Sequence, residues 1–242
     1  MLSLENVGRR FGALWAVRDV TFSVGRGEIV GVIGPNGAGK STLFNLIAGA
    51  IKPSAGSIRF LDRCVTNARP YEIARLGLAR TFQIPKPFKQ LTVRENVMMS
   101  ALGRHGTPRR ANLIATETMA KTGIGYLADD SVTSLTVGLL KKLEVARALA
   151  TEPTFLLLDE VMAGLTPTEV REMMTVISSL PERGITVLWV EHVMMAIMNV
   201  AHRLVVMHQG RMIADGRPAE IAQNPGVIGA YLGEKYVHAS RL

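Results

Sequence analysis

The sequence predicts an α/β fold whose core is interrupted by a helical insertion, and three observations predict it. Short apolar runs at 28–33 (EIVGVI) and 155–158 (FLLL) have the composition of strands covered on both faces. Segments with helical character, 40–48 and 167–180, alternate with such runs. From residue 84 to about 146 the strand signals stop and helix-prone sequence takes over.

Taken in order, 2–7 and 17–24 alternate apolar and polar residues, as half-exposed strands do. The 28–33 strand leads into a glycine-rich loop and a helix over 40–48, and 56–60 reads as another short strand. A helical stretch runs from 92 to about 121, with Thr92 and Glu95 spaced as a capping box and a Gly/Pro break at 106–108. Another helix is predicted over 139–150, and strands return at 154–159 and 186–190. The tail gives short strands at 204–208 and 212–214, then helical turns near 218–222 and 227–231.

A chain of 242 residues that is 48% hydrophobic can bury one core, and its 20% charged content argues against disorder. The net charge of +8 is spread without a run of five or six like charges, so no specific nucleic-acid partner is predicted. Cys64 is the single cysteine, which excludes an intrachain disulfide, and the five histidines offer no ligand-spaced pair. The start of the chain enters a strand pattern directly, so no signal peptide is expected. No apolar run approaches the roughly 20 residues that cross a bilayer. A cytoplasmic protein is predicted, held at a membrane only through another polypeptide.

The sharpest feature is GPNGAGKST, residues 34–42, which matches G-x-x-x-x-G-K-[ST] between an apolar strand and a helix. Gly34, Pro35, Asn36, Gly37, Ala38 and Gly39 would let the backbone wrap a phosphate chain with its N–H groups pointing inward. Lys40 would reach the β- and γ-phosphates, Ser41 would offer a hydroxyl to Mg²⁺, and Thr42 would help hold a phosphate. Downstream, FLLLDE delivers Asp159 at the carboxyl end of a buried strand, where it can orient Mg²⁺. Glu160 is placed to polarise a water in line with the γ-phosphate. No N-K-x-D guanine-reading motif occurs, which leaves ATP as the predicted nucleotide.

These motifs, with what lies between and after them, resemble the ATPase subunits of ATP-binding-cassette (ABC) transporters over essentially the whole chain. The resemblance implies one domain over 1–242. Within it, a RecA-like P-loop NTPase core with an antiparallel β subdomain covers 1–83 and 147–242, and a helical signature subdomain covers 84–146. Gln83, in RTFQ, matches the Q-loop glutamine that contacts Mg²⁺ and the attacking water, and His192, in WVEH, matches the switch histidine. Phe11, 29 residues before Lys40, matches the aromatic that stacks on adenine. The segment LTVGLLKKLEVARAL, 135–149, stands where the family reads LSGGQ; Thr136 keeps a hydroxyl and Gly138 a glycine, while Val137 and Leu139 depart from it. Val161 replaces a common proline, and Thr166 an acid.

Four fragments resemble the branched-chain (hydrophobic) amino acid transport ATPases more closely. They are RFGALWAVRDV, RTFQ followed by LTVRENV, EVMAGLTPTEV and NPGVIGAYLGE. The insertion between Val97 and Leu135 is short for that subfamily. The resemblance implies a second ATPase subunit (the same chain or another), transmembrane permease subunits and, indirectly, a solute-binding protein. It also implies a peripheral position on the cytoplasmic face of the inner membrane. In the family the signature segment caps nucleotide bound by the opposite subunit, so Thr136 and Gly138 would complete the partner's site. A soluble non-transport ABC ATPase and a weakly catalytic regulatory subunit stand as the alternatives.

Overall fold

A computed structural model describes residues 1–232, the side chains of His105 and Leu232 excepted. Strand β1 (Leu2–Phe11) buries Leu2, Leu4 and Val7, leaves Ser3 half-buried and exposes Glu5 and Asn6, as a one-sided sheet requires. It pairs antiparallel with β2 (Leu14–Val24) across a turn in which Gly12 takes φ +57°. β3 (Ile29–Ile33) is buried at every position and lies inside the second sheet. The chain continues through α1 (Lys40–Ile47), β4 (Ala55–Phe60), β5 (Arg63–Cys64), α2 (Pro70–Arg75) and β6 (Leu78–Arg80).

A helical group follows, made of α3 (Val93–His105), α4 (Pro108–Lys121) and α5 (Val137–Leu149). Thr92 and Glu95 form the capping box of α3, and Gly106 closes that helix at φ +70° before Pro108 opens the next. The core then resumes with β7 (Phe155–Asp159), α6 (Pro167–Ser178), β8 (Thr186–Val190), α7 (Met194–Val200), β9 (Arg203–His208) and β10 (Arg211–Gly216). Helices α8 (Pro218–Ala222) and α9 (Pro225–Leu232) close the described chain, so Gly233 and Glu234 of NPGVIGAYLGE lie outside the described residues.

Two sheets result, one ordered β2-β1-β4-β5 and the other β10-β9-β3-β8-β7-β6. In the second, β9, β3, β8, β7 and β6 run parallel and β10 is an antiparallel edge. β3, β7 and β8 are buried along their whole length. Phe155 of β7 meets Phe60 of the antiparallel sheet edge-to-face at 5.7 Å, which joins the two layers. The helical group keeps its own core of Val97, Ala101, Ala115, Met119 and Leu143. No helix among the described residues is long and apolar enough to cross a membrane.

The helix predicted over 139–150 begins two residues earlier, because the Thr136 hydroxyl accepts the Leu139 N–H at 3.3 Å and sets the first turn. The short elements β5, α2, β6 and α7 carry too little periodicity to read from sequence, and tertiary contacts define them instead.

Candidate nucleotide site

Parallel packing brings the carboxyl ends of β3, β7 and β8 together, and the loops that leave them build the site. The first loop has no room for a side chain at two of its glycines. A Cβ on Gly34 would lie 2.1 Å from the Met207 carbonyl oxygen, and one on Gly39 would lie 2.4 Å from that of Ala16. Gly39 also holds φ +101° as the N-cap of α1, so the helix presents its unpaired N–H groups to the loop. A Gly39→Ala chain is predicted to lose about 1–3 kcal/mol of stability through forced backbone strain, and to bind nucleotide more weakly. Thermal melts and calorimetry check this, and wild-type values in both would show that the loop relaxes freely.

Lys40 is buried, and its Nζ donates to the carbonyl oxygens of Gly34 at 2.7 Å and Pro35 at 3.1 Å. Burial pulls its pKa down, while the charges of Glu160 and Asp159 push it back up. Its ammonium therefore sits folded against its own loop with two acids close by. A cavity of about 680 Å³ opens over this loop, lined by 36–42, by Trp15, Ala16 and Arg18, and by Glu160 and His192.

The acids arrive on β7. Asp159 is 4% exposed and accepts from Arg80 at 2.9 Å, and its N–H donates to the Thr81 hydroxyl at 3.1 Å. The same guanidinium donates to Asn45 Oδ1 of α1 at 2.6 Å, so Arg80 braces the phosphate-loop helix against the strand tip. Glu160, one residue on, has φ +49°, a left-handed conformation that swings its carboxylate away from that of Asp159. Glu160 Oε1 lies 2.8 Å from His192 Nε2, and Oε2 accepts from Gln83 Nε2 at 2.5 Å. Three residues assigned from separate motifs thus meet around one carboxylate.

Besides Arg80, two further participants were not foreseen. Lys141, buried on α5, donates to the backbone carbonyls of Gln83 and Glu160. Glu191, 1% exposed, accepts backbone N–H groups on both sides of the β7–β8 tip. Neither lies in a motif with a chemical signature, although KK within 135–149 and EH within 189–192 place a charge at a position that folding then buries.

Other predicted residues lie apart. Phe11, 47% exposed, ends β1 with the Arg9 guanidinium 4.7 Å above its ring. It is not among the residues that line the cavity, whereas Leu14 and Trp15 are. Thr136 and Gly138 sit at the start of α5 and do not line the cavity either. Gly138 is covered by Glu169 of α6, whose carboxylate leaves no space for a Cβ. Val137 between them is 58% exposed.

Among the described residues no cluster of three or more His, Cys, Asp or Glu side chains is arranged to hold a metal. Ser41, Asp159 and Gln83 offer isolated oxygen donors beside a phosphate-sized loop. That set fits Mg²⁺, which takes few protein ligands and completes its shell with phosphate and water.

A lysine-bearing glycine loop after β3 and two adjacent acids at the end of β7, with β8 between them in one parallel sheet, are what phosphoryl transfer to water requires, and they place the chain among the P-loop nucleotide hydrolases. The family model for ABC transporters matches residues 17–163, and the model for the branched-chain amino acid ATP-binding cassette transporter matches 211–237. The high-affinity branched-chain amino acid transport ATP-binding protein LivG of Escherichia coli (strain K12) is 38% identical, over 97% of this chain and 98% of its own. BraF of Pseudomonas aeruginosa, described by the same words, is 37% identical over the same shares. A crystal structure of a nucleotide-free ATP-binding cassette from an ABC transporter superposes with TM-score 0.88 at 32% identity, covering 96% of this chain and 99% of that one. The ADP conformation of an ABC cassette superposes at 0.86, also with 32% identity, over 96% and 98%. The chain belongs to the ATP-binding subunits of ABC transporters, in the branched-chain amino acid group, and is an ATPase.

Proposed function

We propose that the chain binds Mg²⁺–ATP in the loop of residues 34–42 and hydrolyses it to drive import of branched-chain amino acids through separate permease subunits. The observation that carries this reading is the Glu160 carboxylate, held between Gln83 and His192 beside the buried Lys40. Backbone N–H groups of the loop and the start of α1 bind the phosphates, and Lys40 turns from its loop carbonyls to the β- and γ-phosphates. Ser41, Asp159 and Gln83 would hold Mg²⁺, which when bound would neutralise charge on the transferring group. Glu160 orients water and takes its proton, while His192 fixes Glu160 and lies near the γ-phosphate. Phe11 or Trp15 supplies the apolar wall for adenine.

The cavity is open, so a second ATPase subunit closes it with the equivalents of Thr136 and Gly138, excluding water and gathering donors around the γ-phosphate. ATP favours the closed pair and hydrolysis removes that preference, which drives the cycle. Gln83 relays it to the permease at the cytoplasmic membrane surface. The exposed Val137 points to a second reading, in which the composite site that this chain completes on its partner turns over slowly while its own site remains complete.

The test is purification of the tagged chain from native membranes, followed by reconstitution in vesicles. Recovery with multi-span subunits and ATP-dependent uptake of leucine or valine is expected. Hydrolysis by a chain that never associates with membrane subunits would overturn the transport role and favour a soluble ATPase.

A further inference from the structure

We infer that Glu191 is a positioning residue for hydrolysis: its buried carboxylate ties the loop bearing Glu160 to the loop bearing His192 and so sets the contact between those side chains. The inference rests on the roles proposed above for Glu160 and His192. Strands β7 and β8 run parallel in register up to Asp159 and Val190, and the Glu160 N–H still reaches the Val190 carbonyl at 2.9 Å. Past that rung the chains turn away in different directions, towards α6 and towards α7. Glu191 takes over the linkage there.

One carboxylate oxygen of Glu191 accepts from Met162 N–H at 3.1 Å, two residues beyond Glu160. The other accepts from His192 N–H at 2.9 Å and Val193 N–H at 3.3 Å. The side chain therefore spans the gap between the two loops, using backbone donors that are otherwise left over where strands end. A buried carboxylate is costly unless its oxygens are bonded, and this one gains three N–H groups and the nearby Lys141 charge. Burial still pushes its pKa up. An apolar residue of similar size would avoid that penalty but would leave the three N–H groups without this acceptor and the two loops without this link.

The connection matters because Glu160 sits at φ +49°, a conformation that persists only when its surroundings hold it. Lys141 holds the Glu160 carbonyl from the α5 side at 2.9 Å, and Glu191 holds the following turn from the β8 side. Together they fix where the Glu160 carboxylate meets His192 Nε2, at 2.8 Å. Displacement of a reacting group by about 1 Å can cost on the order of 100-fold in rate.

Glu191→Gln keeps the shape and one carbonyl acceptor but sets an amide N–H₂ against one of the two loops. In the assembled transporter, or in the isolated chain if it hydrolyses ATP alone, kcat is expected to fall about 10- to 100-fold, with KM for ATP within about two-fold. In a His192→Ala background Glu191→Gln should add little, because both changes break the same contact. Multiplicative losses would mark a general structural role and overturn the inference, as would unchanged kcat. A second measurement does not depend on turnover: the ¹⁵N imidazole signal of His192, followed by NMR in the folded chain, should move in Glu191→Gln. A His192 signal identical to wild type would also overturn it. Full activity of Glu160→Gln would instead sink the hydrolytic role of Glu160, a separate failure that leaves the His192 readout interpretable.

Discussion

Glu160→Gln is expected to bind ATP with near wild-type affinity and to hydrolyse it at least about 100-fold more slowly, the range that loss of a positioned general base produces. The amide is almost the same shape as the acid. It keeps an oxygen for Gln83 or His192, while the phosphate-binding atoms, on the loop of residues 34–42, are untouched. What disappears is the ability to take a proton from water. Because ATP would then persist in the closed pair, the variant should also accumulate as an ATP-bound dimer, visible by size-exclusion chromatography with light scattering. Undiminished steady-state hydrolysis would remove Glu160 from its assigned role.

The residues that were legible in the sequence share one property: their chemistry depends on local spacing. GPNGAGKST specifies a turn and a helix start within nine residues, and FLLLDE specifies a buried strand with acids at its end. Gln83 and His192 were legible only by resemblance, since an exposed glutamine in a loop carries no pattern of its own. The braces were not legible at all. Arg80 stands three residues before Gln83 in a segment with no legible pattern, yet it joins Asp159 to Asn45 across long sequence separations. Lys141 and Glu191 look like solvated charges in the sequence and are buried by the packing of α5 and β8 around them.

Phe11 shows the opposite case. Its spacing from Lys40 matches the family, but β1 and β2 form a hairpin in which Arg10 pairs with Trp15, and Trp15 is what reaches the cavity lining. A linear spacing does not report which strand of a hairpin lines the cavity. The helical insertion was legible in outline because capping signals at Thr92 and the break at 106–108 are local.

Lys40→Ala is expected to weaken Mg²⁺–ATP binding by about 2–5 kcal/mol, roughly 30- to several-thousand-fold, the cost of truncating one partner of a desolvated charge pair. Two effects act in the same direction. The truncated side chain no longer brings its charge to the β- and γ-phosphates, and the loop loses the packing of the buried aliphatic stem. Lys40→Met separates them, because it restores the aliphatic stem without the charge. If the charge dominates, Met should bind as poorly as Ala; if loop packing dominates, Met should recover most of the affinity. Burial of Lys40 beside Asp159 and Glu160 argues for the charge. Without the ammonium, a triphosphate would meet two acids with one buried cation fewer beside them, and calorimetry that returned wild-type affinity for Lys40→Ala would show that the backbone dipoles of the loop and the remaining cations suffice.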